Sequence, residues 1–207
     1  MSNKLVMRVG AAIAGVLAAA AMSSIAVAQS GAPPVNVRGT VVSFSGDALK
    51  VKSREGKLVD VALPAGWKLS SVARASLGSI KPGDYVGIAS MPNAKGEKAL
   101  EVLIFPPALK GAGEGSHGWD LKPRSNMTNA AVSSLVKGVN GQTVTLSYNG
   151  QQKTISIPKT APVVTFAPAT NDDLKPGAVV FVSATMTNGV LTARNVVVGK
   201  NGVVPPM

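Results

Sequence analysis

Part of this chain is written twice. Ile80-Lys81-Pro82-Gly83 returns as Leu174-Lys175-Pro176-Gly177, an offset of 94 residues. At that offset Gly56 falls on Gly150, Pro64 on Pro158, Val86 on Val180, Ile88 on Val182, Ala99 on Ala193, and Val102-Leu103-Ile104 on Val196-Val197-Val198. Near Gly46 and Gly141 the offset becomes 95, a change that a turn can absorb. Coincidences this dense mark an internal duplication, so the chain must fold as two related units.

Each copy reads as five short strands. In the first these are Arg38 to Phe44, Ala48 to Ser53, Leu58 to Leu63, Tyr85 to Ala89 and Leu100 to Phe105; in the second, Ser134 to Val139, Thr143 to Tyr148, Lys153 to Ile157, Val179 to Ala184 and Leu191 to Val198. Apolar residues alternate at Leu49 and Val51, at Val59, Val61 and Leu63, and at Val144 and Leu146, the period of sheet with one buried face. Gly46, Gly56, Gly141 and Asn149-Gly150 supply hairpin turns that need positive φ, and Lys-Pro-Gly precedes the fourth strand as a turn. A 16-residue connection follows the third strand of each copy; a helical turn is expected near Ser71 to Leu77 in the first, and extended chain in the second, which holds Pro162 and Pro168. Five strands with a long third connection predict small OB-like barrels in tandem, over 36–105 and 132–200. An SH3-like barrel or one sandwich shared by the copies are the competing arrangements.

The N-terminus carries an address. Lys4 and Arg8 precede an apolar run from Val9 to Met22, and Ala26-Val27-Ala28 has the small residues of a cleavage site, so 1–28 is expected to be a signal peptide. The run is shorter and more Ala-rich than a membrane span, and no later segment is long enough for one. Its removal leaves 179 residues and lowers the net charge from +11 to +9. The expected setting is periplasmic or secreted, where a basic protein meets anionic envelope components through salt-sensitive contacts.

Composition excludes several chemistries. Without Cys there is no disulfide, thiolate nucleophile, thiolate zinc site or iron–sulfur cluster. The single His117 adjoins Ser116, but no Gly-x-Ser-x-Gly elbow exists, and Asp172-Asp173 reads as a turn cap rather than a catalytic pair. No phosphate loop or dinucleotide fingerprint is present. Neither an enzyme nor a cofactor is expected. Nucleic acid is disfavoured by export and by eight aromatics too dispersed to give each copy a stacking platform.

Residues 106–131 depart from the repeat and hold the only His and one of two Trp residues. Trp119 is expected to staple this connecting segment to a barrel, and Trp119, Lys122 and Arg124 are the candidate contact residues for a partner. Glu114, His117 and Asp120 offer one imidazole and two carboxylates at i, i+3, i+6, a spacing that a turn could converge on a metal ion. That set defines the alternative function, a soluble metal-handling accessory protein.

Gly39-Thr40-Val41-Val42, the Lys-Pro-Gly turn before Val86 and Ile88, and Ala99 before a Val-rich closing strand resemble the small OB-like domain of unknown function found in many exported bacterial proteins. The stretches Gly113 to Pro123 and Met127 to Ala130 resemble α-proteobacterial proteins that carry the label metal ABC transporter permease. A permease needs several membrane spans, which this sequence does not contain. The resemblance thus implies tandem OB-like barrels and no established activity. The function expected is a non-enzymatic binding or structural module that touches an envelope protein or an anionic surface.

Overall fold

The computed structural model describes residues 34–206; the leader expected over 1–28 lies outside them. The first copy supplies β1 (Val35–Phe44), β2 (Ala48–Ser53), β3 (Leu58–Ala62), β4 (Lys68–Arg74), β5 (Tyr85–Asn93) and β6 (Gly96–Ile104). β7 (Gly115–Trp119) lies in the connecting segment. The second copy supplies β8 (Ser125–Gly138), β9 (Gly141–Tyr148), β10 (Gln151–Pro158), β11 (Val163–Ala167), β12 (Val179–Thr187) and β13 (Val190–Gly199). The chain is all-β, and only short 3-10 turns interrupt the strands. Among the described residues no helix is long and apolar enough to cross a membrane.

Strand pairing closes two five-stranded barrels, and each takes strands from both copies. In one, β1 pairs with β2, β2 with β3, β3 with β13, β13 with β12 and β12 with β1. In the other, β8 pairs with β9, β9 with β10, β10 with β6, β6 with β5 and β5 with β8. Each closes through one parallel contact, β3 with β13 at Ala62 and Thr192, and β10 with β6 at Ile155 and Ser156. This is OB-like strand order rather than an all-antiparallel meander.

The expectation of one barrel per contiguous stretch, 36–105 and 132–200, is corrected by these pairings. The reason lies in the connections. β4 is seven residues of extended chain, roughly 20 Å, and carries the first copy out of one barrel and into the other. β11 carries the second copy back, antiparallel to β4. The helical turn expected near Ser71 to Leu77 is strand through Arg74, with a 3-10 turn at Leu77–Ser79; β4 is an interior strand paired with both β11 and β13, and Val72 on it is fully buried.

Three apolar clusters follow. One barrel encloses Val41, Leu49, Val51, Val61, Val182 and Val196 with Leu174 as its plug; the other encloses Val86, Ile88, Val102, Val144, Leu146 and Ile155, plugged by Ile80, the repeat equivalent of Leu174. A third cluster, Val72, Leu103, Val164, Phe181, Val197 and Val203, fills the junction between them. These interiors are almost wholly aliphatic, which matches an aromatic content of 4%.

The first strand of the second copy begins earlier than its sequence pattern indicates. β8 starts at Ser125, inside the stretch expected to be non-β, and its residues 125–129 pair with β7. Carbonyl and amide contacts show the true equivalence: Gly177 donates to Val41 O, and Gly83 donates to Val132 O. Val41 therefore corresponds to Val132, an offset of 91. The β8–β9 hairpin then regains the difference by running on past Leu135 and Val144 to Gly138 and Gly141, whereas β1–β2 ends at Phe44 and Leu49.

Candidate functional site

The connecting segment straddles both barrels. At its start Tyr85 Oη donates to Ala112 O at 3.2 Å, and Asn129 Nδ2 donates to Gly113 O at 3.2 Å, which ties it to the β5–β8 barrel. At its far end Trp119 and Asp120 reach the other barrel through Arg38 on β1. The guanidinium donates two hydrogen bonds to Asp120, at 3.0 and 2.7 Å, and Asn36 Nδ2 adds a third at 3.1 Å. Arg38 Cζ lies 5.5 Å from the Trp119 ring centre and 5.1 Å from that of Phe181. A guanidinium held between two aromatic faces and a bidentate carboxylate is fixed in position and nearly excluded from water, its side chain 9% exposed. The Arg38 hydrogen bonds, with a smaller contribution from Asn36, hold the Asp120 carboxyl below its ordinary range.

The candidate metal residues are not brought together. Glu114 Oε1 accepts from the Asn149 amide, Asp120 is taken by Arg38, and His117 is exposed with its ring edge-on to Trp119 at 5.8 Å. Residues 115–119 form a strand, which puts i and i+6 roughly 20 Å apart instead of converging them. Among the described residues no three His, Asp or Glu side chains are grouped to hold a metal ion.

Of the candidate contact residues, Trp119 is half-buried in the junction. Lys122 and Arg124 are exposed in the turn that links β7 to β8. Pro123 and the positive φ of Arg124, 62°, shape that turn, and Ser125 locks it by donating to Trp119 O and Lys122 O and accepting from the Lys122 amide. The staple and the exposed cations thus sit side by side but point to different tasks.

Two features escape the sequence pattern. Residues 121–171 contain Lys122, Arg124, Lys137, Lys153 and Lys159 and no Asp or Glu. Lys153 meets Glu97 at 3.7 Å, while Lys137 and Lys159 are exposed around the β8–β9 tip, where Lys159 N donates to Asn140 O. Val136 and Val139 on the same tip are 67% and 85% exposed. The second feature is Glu101 on β6, 9% exposed, with Oε1 lacking any hydrogen-bond partner among the described residues. Burial pushes its carboxyl up to about 7, opposed by Arg38 and Arg54. The sequence gives no signal of this kind, because part of the wall around Glu101, Pro162 to Val164 and Val203, lies far along the chain.

No family model matches the chain, and neither a curated protein nor a solved structure is significantly similar to it.

Proposed function

We propose that this protein is an exported, non-enzymatic binding module that docks by surface contact on an anionic component of the cell envelope. The observation that carries the reading is the carboxylate-free run from 121 to 171, which presents Lys137 and Lys159 to solvent at the β8–β9 tip and Lys122 and Arg124 in the turn that opens β8. Like charges without interspersed acids attract an anionic surface instead of solvating evenly. Export, read from the leader at 1–28, puts that surface outside the cytoplasm. The paired barrels act as the rigid carrier, and the β8–β9 tip, with Val136 and Val139 exposed on either side of Lys137 in sequence, provides an amphipathic contact point.

The test is co-sedimentation of the mature protein with vesicles of phosphatidylcholine alone or mixed with phosphatidylglycerol, together with a lipopolysaccharide pull-down. Binding to at least one anionic probe at about 50 mM salt, lost near 500 mM, is expected. The Lys122→Glu, Lys137→Glu, Lys159→Glu triple variant should abolish it. Salt-independent binding, or none to any anionic probe, overturns the reading.

A further inference from the structure

Positions within the repeated stretches have counterparts at an offset of 94, so differences between the two copies show where one was put to separate use. Around the β4–β11 crossing one such difference encloses a cavity of about 270 Å³, lined by Arg74, Glu101, Pro162, Val163, Val164 and Val203 among others. The repeat counterparts of Glu101 and Arg74 are Asn195 and Pro168, so only one side of the crossing carries an acid and a base.

The cavity's outer wall is also particular to one side. Residues 202–204 fold back over the end of β13, and a Cβ on Gly199 would meet Val203 O at 1.6 Å. The counterpart of Gly199 is Phe105, whose ring packs edge-on to Tyr85 at 5.3 Å. Loss of the side chain at 199 is therefore what admits the returning segment, and Val203 enters the junction cluster through that gap.

The lining is chemically specific. Glu101 borders the cavity, is more than nine-tenths buried, and its Oε1 is shut off from solvent without a hydrogen-bond partner among the described residues. A buried carboxylate short of donors is costly, and a cationic group bound in the cavity beside it lowers that cost. Arg74 is exposed at the same cavity and makes no ion pair with a described residue. Between these ends the walls are aliphatic. The volume equals that of about nine water molecules in the liquid, the size of a small organic molecule.

We propose that this cavity binds a small aliphatic zwitterion of the α-amino-acid class, its ammonium on Glu101, its carboxylate on Arg74 and its side chain against Val163, Val164 and Val203. The buried, high-lying carboxyl of Glu101 fits the assignment, since an ammonium donor is what restores its charged form.

The experiment titrates the ¹⁵N-labelled protein with L-leucine, isovalerate, which lacks the ammonium, and isoamylamine, which lacks the carboxylate. Backbone shifts at Val163, Val164, Gly202 and Val203 are followed. Leucine is expected to bind at this cavity with a Kd on the order of 1 mM or tighter. Each single-ended analogue should be weaker by about tenfold or more, the scale of one lost charged hydrogen bond. Glu101→Gln, which preserves shape, should weaken leucine and isoamylamine by a similar factor and spare isovalerate; Arg74→Gln should do the converse. Absence of leucine-dependent shifts in the wild-type protein, or equal leucine affinity in Glu101→Gln, overturns the proposal.

Discussion

Val72 on β4 lies directly opposite Phe166 on β11, 94 residues further along the chain, the same offset at which Ile80-Lys81-Pro82-Gly83 returns as Leu174-Lys175-Pro176-Gly177. A register that pairs a position with its own counterpart is two-fold symmetric about that pair. Thr165 with Ala73 and Val164 with Arg74 continue the ladder on one side, and Ala167 with Ser71 does so on the other. The crossing of the two copies is therefore the centre from which both barrels are built, and neither copy owns a barrel.

It follows that the halves are not independent folding units. β1, β2 and β3 without β12 and β13 form a three-stranded sheet whose apolar face, with Leu49, Val51 and Val61, has nothing to close over it. A specific protease site inserted in the exposed loop after Lys110 should, once cut, leave the two pieces associated as one particle by size exclusion, with an unchanged β-sheet circular dichroism spectrum. Each piece prepared alone should be unfolded or self-associate through the same exchange. A folded monomer from either piece contradicts the exchanged topology.

Much of the fold is legible from alternation and turns. Leu49, Val51, Val144 and Leu146 point inward as their period demands, and β5 and β12, Tyr85–Asn93 and Val179–Thr187, match residue for residue at the offset of 94. The exchange is not legible, because local patterning is identical whether Val182 packs on Val37 of the other copy or on Thr128 of its own. Only the geometry of β4 and β11 decides that. The staple at Trp119 could be anticipated from a lone aromatic in a Gly-rich stretch. Its partner Arg38 could not, being one Lys or Arg among 21, nor could Glu101, whose burial depends on strands far away in sequence.

Glu101 should make stability fall as pH rises. Burial raises its folded carboxyl to about 7, from an ordinary 4.5. Between those values the native state holds a proton that the unfolded chain has released, and stability declines across that window. At pH 8 the penalty is roughly 3 kcal/mol by the usual conversion of a pKa difference. Glu101→Gln should remove this slope and raise the urea midpoint at pH 8 far more than at pH 4.5. Parallel wild-type and variant profiles from pH 4.5 to 8 count against the buried carboxyl.

Asp120 behaves in the opposite sense. Its folded carboxyl is lowered, first by the Arg38 hydrogen bonds, so its contribution is present above the unfolded value and is lost as pH falls through the folded one, below about pH 4. Asp120→Ala at neutral pH leaves the nearly buried Arg38 guanidinium without its bidentate partner and should cost about 1–3 kcal/mol. The gap between wild-type and variant unfolding midpoints should narrow as the pH is taken from 6 to 3. A gap that stays constant over that range would place the loss in packing instead of charge.

Trp67 provides the test that reads the exchanged topology strand by strand. Its indole Nε1 donates to Gly46 O at 3.0 Å and its ring meets Phe44 edge-on at 5.7 Å, sealing the barrel of β1, β2, β3, β12 and β13. The counterparts in the other barrel are Ala161 and Leu135, a smaller seal on a longer hairpin. Trp67→Ala should cost about 3 kcal/mol, the usual range for a large aromatic truncated in a packed position. The loss should be local before it is global, since the junction cluster separates the two interiors. In hydrogen exchange, amides of β12 and β13 should lose protection together with those of β1 to β3, although 117 positions or more separate them in sequence, while β8 to β10 change little. Protection lost instead across β5 and β6, the later strands of the same copy as Trp67, would mean that each copy folds on itself.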